Sequence, residues 1–154
     1  MTLRKATAED VPSILELIHS LAEYEKAPQE VIVTEQDLLD NGFGTHPEFK
    51  TIICEDNDEV VGMALYFYKF STWKGKVMHL EDLIVKQDKR GRGFGKALLD
   101  EIVRIAKQEN LKRVDWQVLD WNKPAVDLYE SLGAEIQKEW WNCRLEKDNL
   151  LNYE

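Results

Sequence analysis

Between Lys89 and Leu99 the chain reads KRGRGFGKALL, with glycines at 91, 93 and 95 set among Arg90, Arg92 and Lys96. Glycine at alternate positions strips the backbone of Cβ atoms, so a large partner can lie against it. The apolar run that follows opens a helix, whose first turn carries free N–H groups and the positive end of the helix dipole. Backbone donors beside three cations suit an anion, most simply a pyrophosphate. Two familiar phosphate cradles do not fit. A P-loop requires glycine where Arg90 stands and Ser or Thr where Ala97 stands. A dinucleotide fingerprint spaces its glycines by two and then three, whereas these are spaced by two throughout. The same residues also read as a tight turn between strand and helix with solvated basic side chains.

Other chemistries have less to work with. His19, His46 and His79 show no ligand-like spacing with Cys54 and Cys143, so neither a metal site nor a catalytic thiol is expected. Two cysteines without a C-x-x-C pair imply unpaired thiols in a reducing cytoplasm. A net charge of −9 disfavours nucleic acid and favours cationic small molecules. The basic residues form no stripe with aromatics, which also speaks against nucleic acid. No apolar run reaches the roughly 18 residues of a membrane helix, and MTLRKATAED lacks a signal-peptide core, so neither membrane nor secretion is expected.

The elements that must position the glycine turn follow from periodicity. A chain of 154 residues without repeat or linker reads as one domain, residues 1–154. TLRKA makes a short first strand. Thr7 and Asp10 have capping-box spacing ahead of Val11, Ile14, Leu15, Ile18, Leu21 and Ala22 at helical period. Thr34 and Asp37 repeat that spacing before a second helix, TEQDLLDN, and GFGTHPEF is a loop. FKTIICE and EVVGMALYFYK form a hairpin about DND, and KVMHLEDLIV is a third long strand. Leu98, Leu99, Ile102, Val103, Ile105 and Ala106 stripe the helix after the glycines, and Asn110 suits its end. KRVDWQVL reads as a strand, KPAVDLYESL as a helix and EIQKEWWNCRLEK as a terminal strand region. The result is an α/β (α+β) fold, a mixed sheet with helices on both faces.

Arg90-x-x-Gly93-x-Gly95 between strand and helix, with DWNKPAVDLYESLGA after the next strand, resembles the GCN5-related N-acetyltransferase (GNAT) family over essentially the whole chain. DNGFGTHP, STWKGK, LEDLIV, RGRGFGK and VLDWN are similar to text carried by its diamine acetyltransferases. STWKG and VLDWN lean toward the thialysine-acetylating branch. The resemblance implies a central, mostly antiparallel mixed sheet and acetyl-coenzyme A as co-substrate. It implies that the turn formed by Arg90, Gly91, Arg92, Gly93, Phe94, Gly95 and Lys96 cradles the coenzyme's pyrophosphate. Leu83, Ile84 and Val85 would pair with the pantetheine like an extra strand, with a β-bulge in this part of the strand freeing an N–H for the thioester carbonyl. Asn122, Lys123, Pro124 and Ala125 would form a second coenzyme-contacting segment.

For the chemistry, the resemblance points to Tyr129 as general acid and Glu81 as amine binder and base. An alkyl ammonium has a pKa near ~10.4, so a proton must be accepted before the nitrogen can attack. Asp82 is the weaker base, because strand alternation turns it to the opposite face. Tyr24 and Glu25 match a substrate-contacting pair, and Trp116 and Gln117 lie on the strand that lines the acceptor cleft. Trp116 suits the core equally well. Lys26, in KAPQE, departs from the acidic residues of polyamine acetylases, and Glu139 is a weak substrate candidate. The expectation is a cytoplasmic, homodimeric N-acetyltransferase acting directly on a small diamine-like or thialysine-like amine, without metal. The rivals are a family member acting on another amine (amino acid, peptide N-terminus or aminoglycoside) and a non-catalytic acetyl-coenzyme A-binding module.

Overall fold

The structure, a computed structural model, describes residues 1–153. Contacts divide the chain into two compact units, Met1–Gln117 and a smaller one from Val118 onward. In the larger unit β1 (Thr2–Lys5) leads to α1 (Val11–Tyr24) and α2 (Glu35–Gly42). Then come β2 (Lys50–Asp56), β3 (Glu59–Ser71), β4 (Gly75–Val85), α3 (Phe94–Gln108) and β5 (Val114–Asp115). The sheet runs in the order β1-β2-β3-β4-β5, antiparallel except for the parallel β4–β5 pair.

Local signals set most boundaries. Thr34 and Asp37 bond reciprocally, Thr34 N–H to Asp37 Oδ2 at 2.8 Å and Asp37 N–H to Thr34 Oγ1 at 3.2 Å, which starts α2. Thr7 and Asp10 start a 3₁₀ turn at Ala8–Asp10 that runs into α1. Asn57 and Asp58 both hold positive φ, 52° and 62°, in the two-residue hairpin between β2 and β3. Asn110 (φ 53°) stops α3 in the left-handed region, as its short polar side chain allows.

Helices cover both faces. Val11, Ile14 and Leu17 of α1 and Leu38 of α2 are buried against Ile53, Met63 and Ile84 of the sheet. Such side chains each stabilise by roughly 1.5–3 kcal/mol. Tyr66, turned oppositely to Leu65, lies near Glu101 of α3 and its C-cap Glu109, and Leu98, Leu99 and Ile102 of that helix are buried on that other face. Arg4 ties β1 to the start of α1 and to β2, donating to both Asp10 oxygens at 2.7 Å and to Glu55 Oε1 at 2.6 and 2.9 Å. The Arg4 hydrogen bonds hold the buried Asp10 carboxyl below the usual carboxylate range despite its burial.

In the smaller unit, α4 (Lys123–Ser131) and α5 (Lys147–Leu151) are the regular elements among the described residues. Two strand expectations are corrected. KRVDWQVL pairs only at Val114 and Asp115, opposite Met78 and His79. Just beyond that point β4 bulges, and a bulge bends a strand away from its neighbour. EIQKEWWNCRLEK forms no strand among the described residues, and its last residue opens α5 instead. Strand propensity becomes a strand only where an edge supplies a ladder. Trp140 and Trp141 are instead 68% and 87% exposed.

Candidate active site

The centre of the site is one extra residue. Leu65 pairs with Asp82 and the next residue, Tyr66, pairs with Leu80, so Glu81 has no partner position on β3. This is a β-bulge, two residues before the Leu83–Val85 segment in which one was expected. It also changes parity. Asp82 and Ile84 stand opposite Leu65 and Met63, so Asp82 shares the face that α1 covers. His79 approaches Glu81 from the same strand, Nε2 to Oε2 at 3.4 Å. The expectation that Asp82 turns away is therefore corrected: the bulge breaks the alternation, and Asp82 interacts electrostatically with both Glu81 and Glu25.

Three carboxylates, from the end of α1 and the middle of β4, thus act on one another. Burial, then the charges of Glu81 and Glu25, push the Asp82 carboxyl up to about 7. Glu25 lies at the surface, yet neighbouring protein atoms crowd its carboxyl enough to lift it too. Glu81 keeps 55% of its side chain exposed. Such a cluster attracts a cation and can take a proton near neutral pH.

A stability consequence follows for Asp82. Its native value of about 7 lies above that of a free carboxyl near ~3.9, so the native state keeps the proton longer. The contribution of the protonated acid is complete below ~pH 4 and is lost as pH rises through about 7. Asp82→Asn, which mimics the neutral acid, should stabilise the fold at pH 8 by about 2–4 kcal/mol and by little at pH 4. Chemical denaturation at both pH values measures this. An equal difference at the two would contradict it.

The glycine turn lies at the C-terminal end of β4. Gly91 and Gly93 hold φ of 76° and 86°, and a Cβ built on either would meet nothing within 4 Å. Gly93 caps α3, and the first helical bond, Ala97 N–H to Gly93 O at 3.0 Å, leaves the first-turn amides outside the helical ladder. Open space at Gly91 and Gly93, beside these amides, suits a phosphate group. All three cations of the turn have protein partners. Arg90 donates to Val85 O at 3.1 Å and stacks over the Tyr24 ring, 4.2 Å from its centroid. Arg92 pairs with Asp56 at 2.8 Å and Lys96 with Asp100 at 2.6 Å. Exposed ion pairs are worth only ~0–1 kcal/mol, so an anion can compete for these cations.

Ile84 and Val85 point into the interior, so Leu83–Val85 can offer a ligand mainly their backbone. The edge of β4 away from β3 has ladder partners only at Met78 and His79 among the described residues, so a ligand can pair strand-like with Leu83–Val85 once it displaces Arg90 from the Val85 carbonyl. Phe94 is buried, Trp116 is half-buried and Gln117 exposed. In the smaller unit Asn122 is the N-cap of α4, Pro124 and Ala125 lie in its first turn, and Lys123 pairs with Asp127 at 2.7 Å. Tyr129 is buried on the same helix, and Glu139 is exposed.

The larger unit thus brings Tyr24, Glu25, Glu81 and the glycine turn near one another, together with Asp82, His79 and Asp115. The signal for these three is not local. It lies in the bulge and in the β4–β5 register, neither of which shows in period-two reading.

Comparisons with known proteins agree with this architecture. The profile of the acetyltransferase (GNAT) family matches residues 11–134. A thialysine N-epsilon-acetyltransferase of Bos taurus is 38% identical over 151 residues, covering 92% of this chain and 89% of its own. A spermidine/spermine N(1)-acetyltransferase-like protein of Homo sapiens is 34% identical over 160 residues, covering 97% of this chain and 23% of its own. A solved integron cassette protein of V. cholerae superposes with a TM-score of 0.80 at 27% identity, over 97% of this chain and 94% of that one. Family profile, relatives and sheet topology converge, and the chain is an N-acetyltransferase that belongs to the GNAT family.

Proposed function

We propose that this enzyme, as a single catalytic domain, transfers acetyl from acetyl-coenzyme A directly to a primary amine of a small diamine-like or thialysine-like molecule. The observation that carries this reading is the Glu25–Glu81–Asp82 cluster, an acidic patch shared by the end of α1 and the strand that runs into the glycine turn. The names of the relatives support the substrate class.

In this reading the first-turn amides of α3 and the residues Arg90 to Lys96 hold the pyrophosphate. The backbone of Leu83–Val85 aligns the pantetheine arm, and Asn122–Ala125 make a second contact with the coenzyme. Glu81 binds the ammonium and takes its proton, so that the nitrogen lone pair is free to attack. Tyr24 and Glu25 hold the distal part of the substrate by cation–π and charge attraction, beside Trp116 and Gln117. Tyr129 donates a proton to the departing thiolate. Direct transfer requires no acyl-enzyme and no metal.

The molecule acts in the cytoplasm as a homodimer. Support for the dimer comes from the exposed Trp140 and Trp141 in a segment that composition suits to a shared strand. No helix among the described residues is long and apolar enough to cross a membrane.

Lys26 follows Glu25 directly and disfavours a long polycation. Thialysine should therefore exceed spermine in kcat/KM at one pH by about tenfold or more, which is about 1.4 kcal/mol of discrimination. Thiol release on a panel of thialysine, lysine, putrescine, spermidine, spermine and an aminoglycoside tests this. A tenfold preference for spermine would reverse the substrate assignment. Coenzyme binding without turnover of any amine would favour the non-catalytic reading.

A further inference from the structure

His79 sits between two carboxylates. Its Nδ1 lies 2.6 Å from Asp115 Oδ1 on β5, and its Nε2 lies 3.4 Å from Glu81 Oε2. Only 15% of its side chain is exposed, and its ring packs beside Phe67 at 5.1 Å between centroids. Asp115 is further held by Lys69 Nζ at 2.8 Å from β3 and by Arg113 Nε at 2.9 Å. Lys69 also comes within 3.5 Å of the ring nitrogen Nδ1. The charged groups facing the imidazole are therefore Glu81 on its own strand, Lys69 on β3 and Asp115 on β5, with Arg113 reaching it through Asp115.

The shorter of the two distances points to one tautomer. A nitrogen and a carboxylate oxygen 2.6 Å apart must share a proton, because two lone pairs would repel at that range. Burial alone would raise the Asp115 carboxyl, but the hydrogen bonds from Lys69, His79 and Arg113 outweigh it and hold the group low. The shared proton therefore belongs to Nδ1. Neutral His79 then turns the bare Nε2 lone pair toward Glu81, and two electron-rich atoms face each other at 3.4 Å. A proton on Nε2 would convert that repulsion into an imidazolium clamped by a carboxylate on each side.

We propose that His79, anchored by Asp115, is a positioning residue for Glu81 and the resting place of the proton that the amine substrate gives up. The inference rests on the reading of Glu81 as the carboxylate that meets the ammonium. In the step, an N–H bond of R–NH₃⁺ breaks and its electron pair stays on nitrogen. The proton passes to Glu81 Oε2 and then to His79 Nε2, so Glu81 returns to the carboxylate form and His79 becomes imidazolium. The free amine keeps the electron pair with which it attacks. Charge is conserved, and nothing is oxidised or reduced. The imidazolium releases its proton to water before the next turnover.

The full-length enzyme, assayed with acetyl-coenzyme A and thialysine, tests this through three variants and one measurement on the parent. His79→Gln should lower kcat at pH 7 by roughly tenfold or more, less than the 10²–10⁴ of a direct acid or base. KM for acetyl-coenzyme A should stay near the parent value. The defect should shrink toward pH 9, where more of the amine arrives already deprotonated, and a purely structural role would not produce that recovery. Asp115→Asn should lower kcat in the same direction as His79→Gln, since it removes the carboxylate that anchors Nδ1–H. Nitrogen-15 spectra of the parent should show neutral His79 protonated at Nδ1. Protonation at Nε2 would overturn the proposal, whatever the variants do. Glu81→Gln separates the two levels of the argument. If it is slow while His79→Gln keeps the parent rate and pH profile, this inference alone fails. If Glu81→Gln turns over normally, the reading of Glu81 fails and this inference with it.

Discussion

Tyr129→Phe should turn over roughly 10²–10⁴-fold more slowly than the parent, the usual range for a positioned acid or base. A tyrosine phenol with an unperturbed pKa near ~10 is protonated at neutral pH and can donate to a forming thiolate. The substitution keeps the ring, which is buried on α4, and removes only the hydroxyl. Loss of an interaction made in the transition state lowers kcat without weakening ground-state binding. Calorimetric affinity for acetyl-coenzyme A should therefore stay near that of the parent. Were the ring merely packing, kcat would hold and stability would fall slightly. A folded variant working at more than half the parent rate would remove Tyr129 as the acid. A thiolate is a fair leaving group, and in that case it would depart unaided.

The second large effect is on coenzyme binding. Gly93→Val is the intuitive probe, but Gly93 sits at φ 86°, where a β-branched residue is strained whatever the ligand does. Gly95 is the cleaner position. It lies in the first turn of α3 without a positive φ, and a Cβ there would meet only Val85 Cγ2 at 3.7 Å, an ordinary contact. Gly95→Val should therefore fold, yet set methyl groups over the amides proposed to hold the pyrophosphate. Affinity for coenzyme A should fall about 100-fold, equivalent to about 2.7 kcal/mol, with little change in thermal midpoint. Parent-like affinity in the folded variant would take the turn out of the binding site.

Features with local causes were legible in the sequence. Capping pairs, the apolar stripe of α3, the hairpin at Asn57–Asp58 and the glycine turn each depend on residues within a few positions of one another. The roles proposed for Glu81 and the Tyr24–Glu25 pair come from resemblance, which carries long-range information that periodicity lacks. The rest depended on partners distant in the chain. Asp82 was assigned to the wrong face because period-two reading assumes an unbroken ladder, and one unpaired residue invalidates it from that point on. His79 looked uninformative because its neighbour Asp115 is 36 residues away. The shortness of β5 and the lack of a strand in EIQKEWWNCRLEK have the same origin, since neither segment's composition says whether an edge is there to receive it.

The bulge at Glu81 also bears on which insertions and deletions the chain can tolerate. β4 is one residue longer at that point than β3 requires. Deleting Glu81 would let Leu80 and Asp82 follow one another opposite Tyr66 and Leu65, closing the ladder with a more regular strand. The sheet would gain order, and the enzyme would lose the carboxylate proposed to meet the amine and the contact that His79 makes with it. Folding alone has no use for this surplus residue, so under the proposed role of Glu81 it is catalysis that sets the length of the strand.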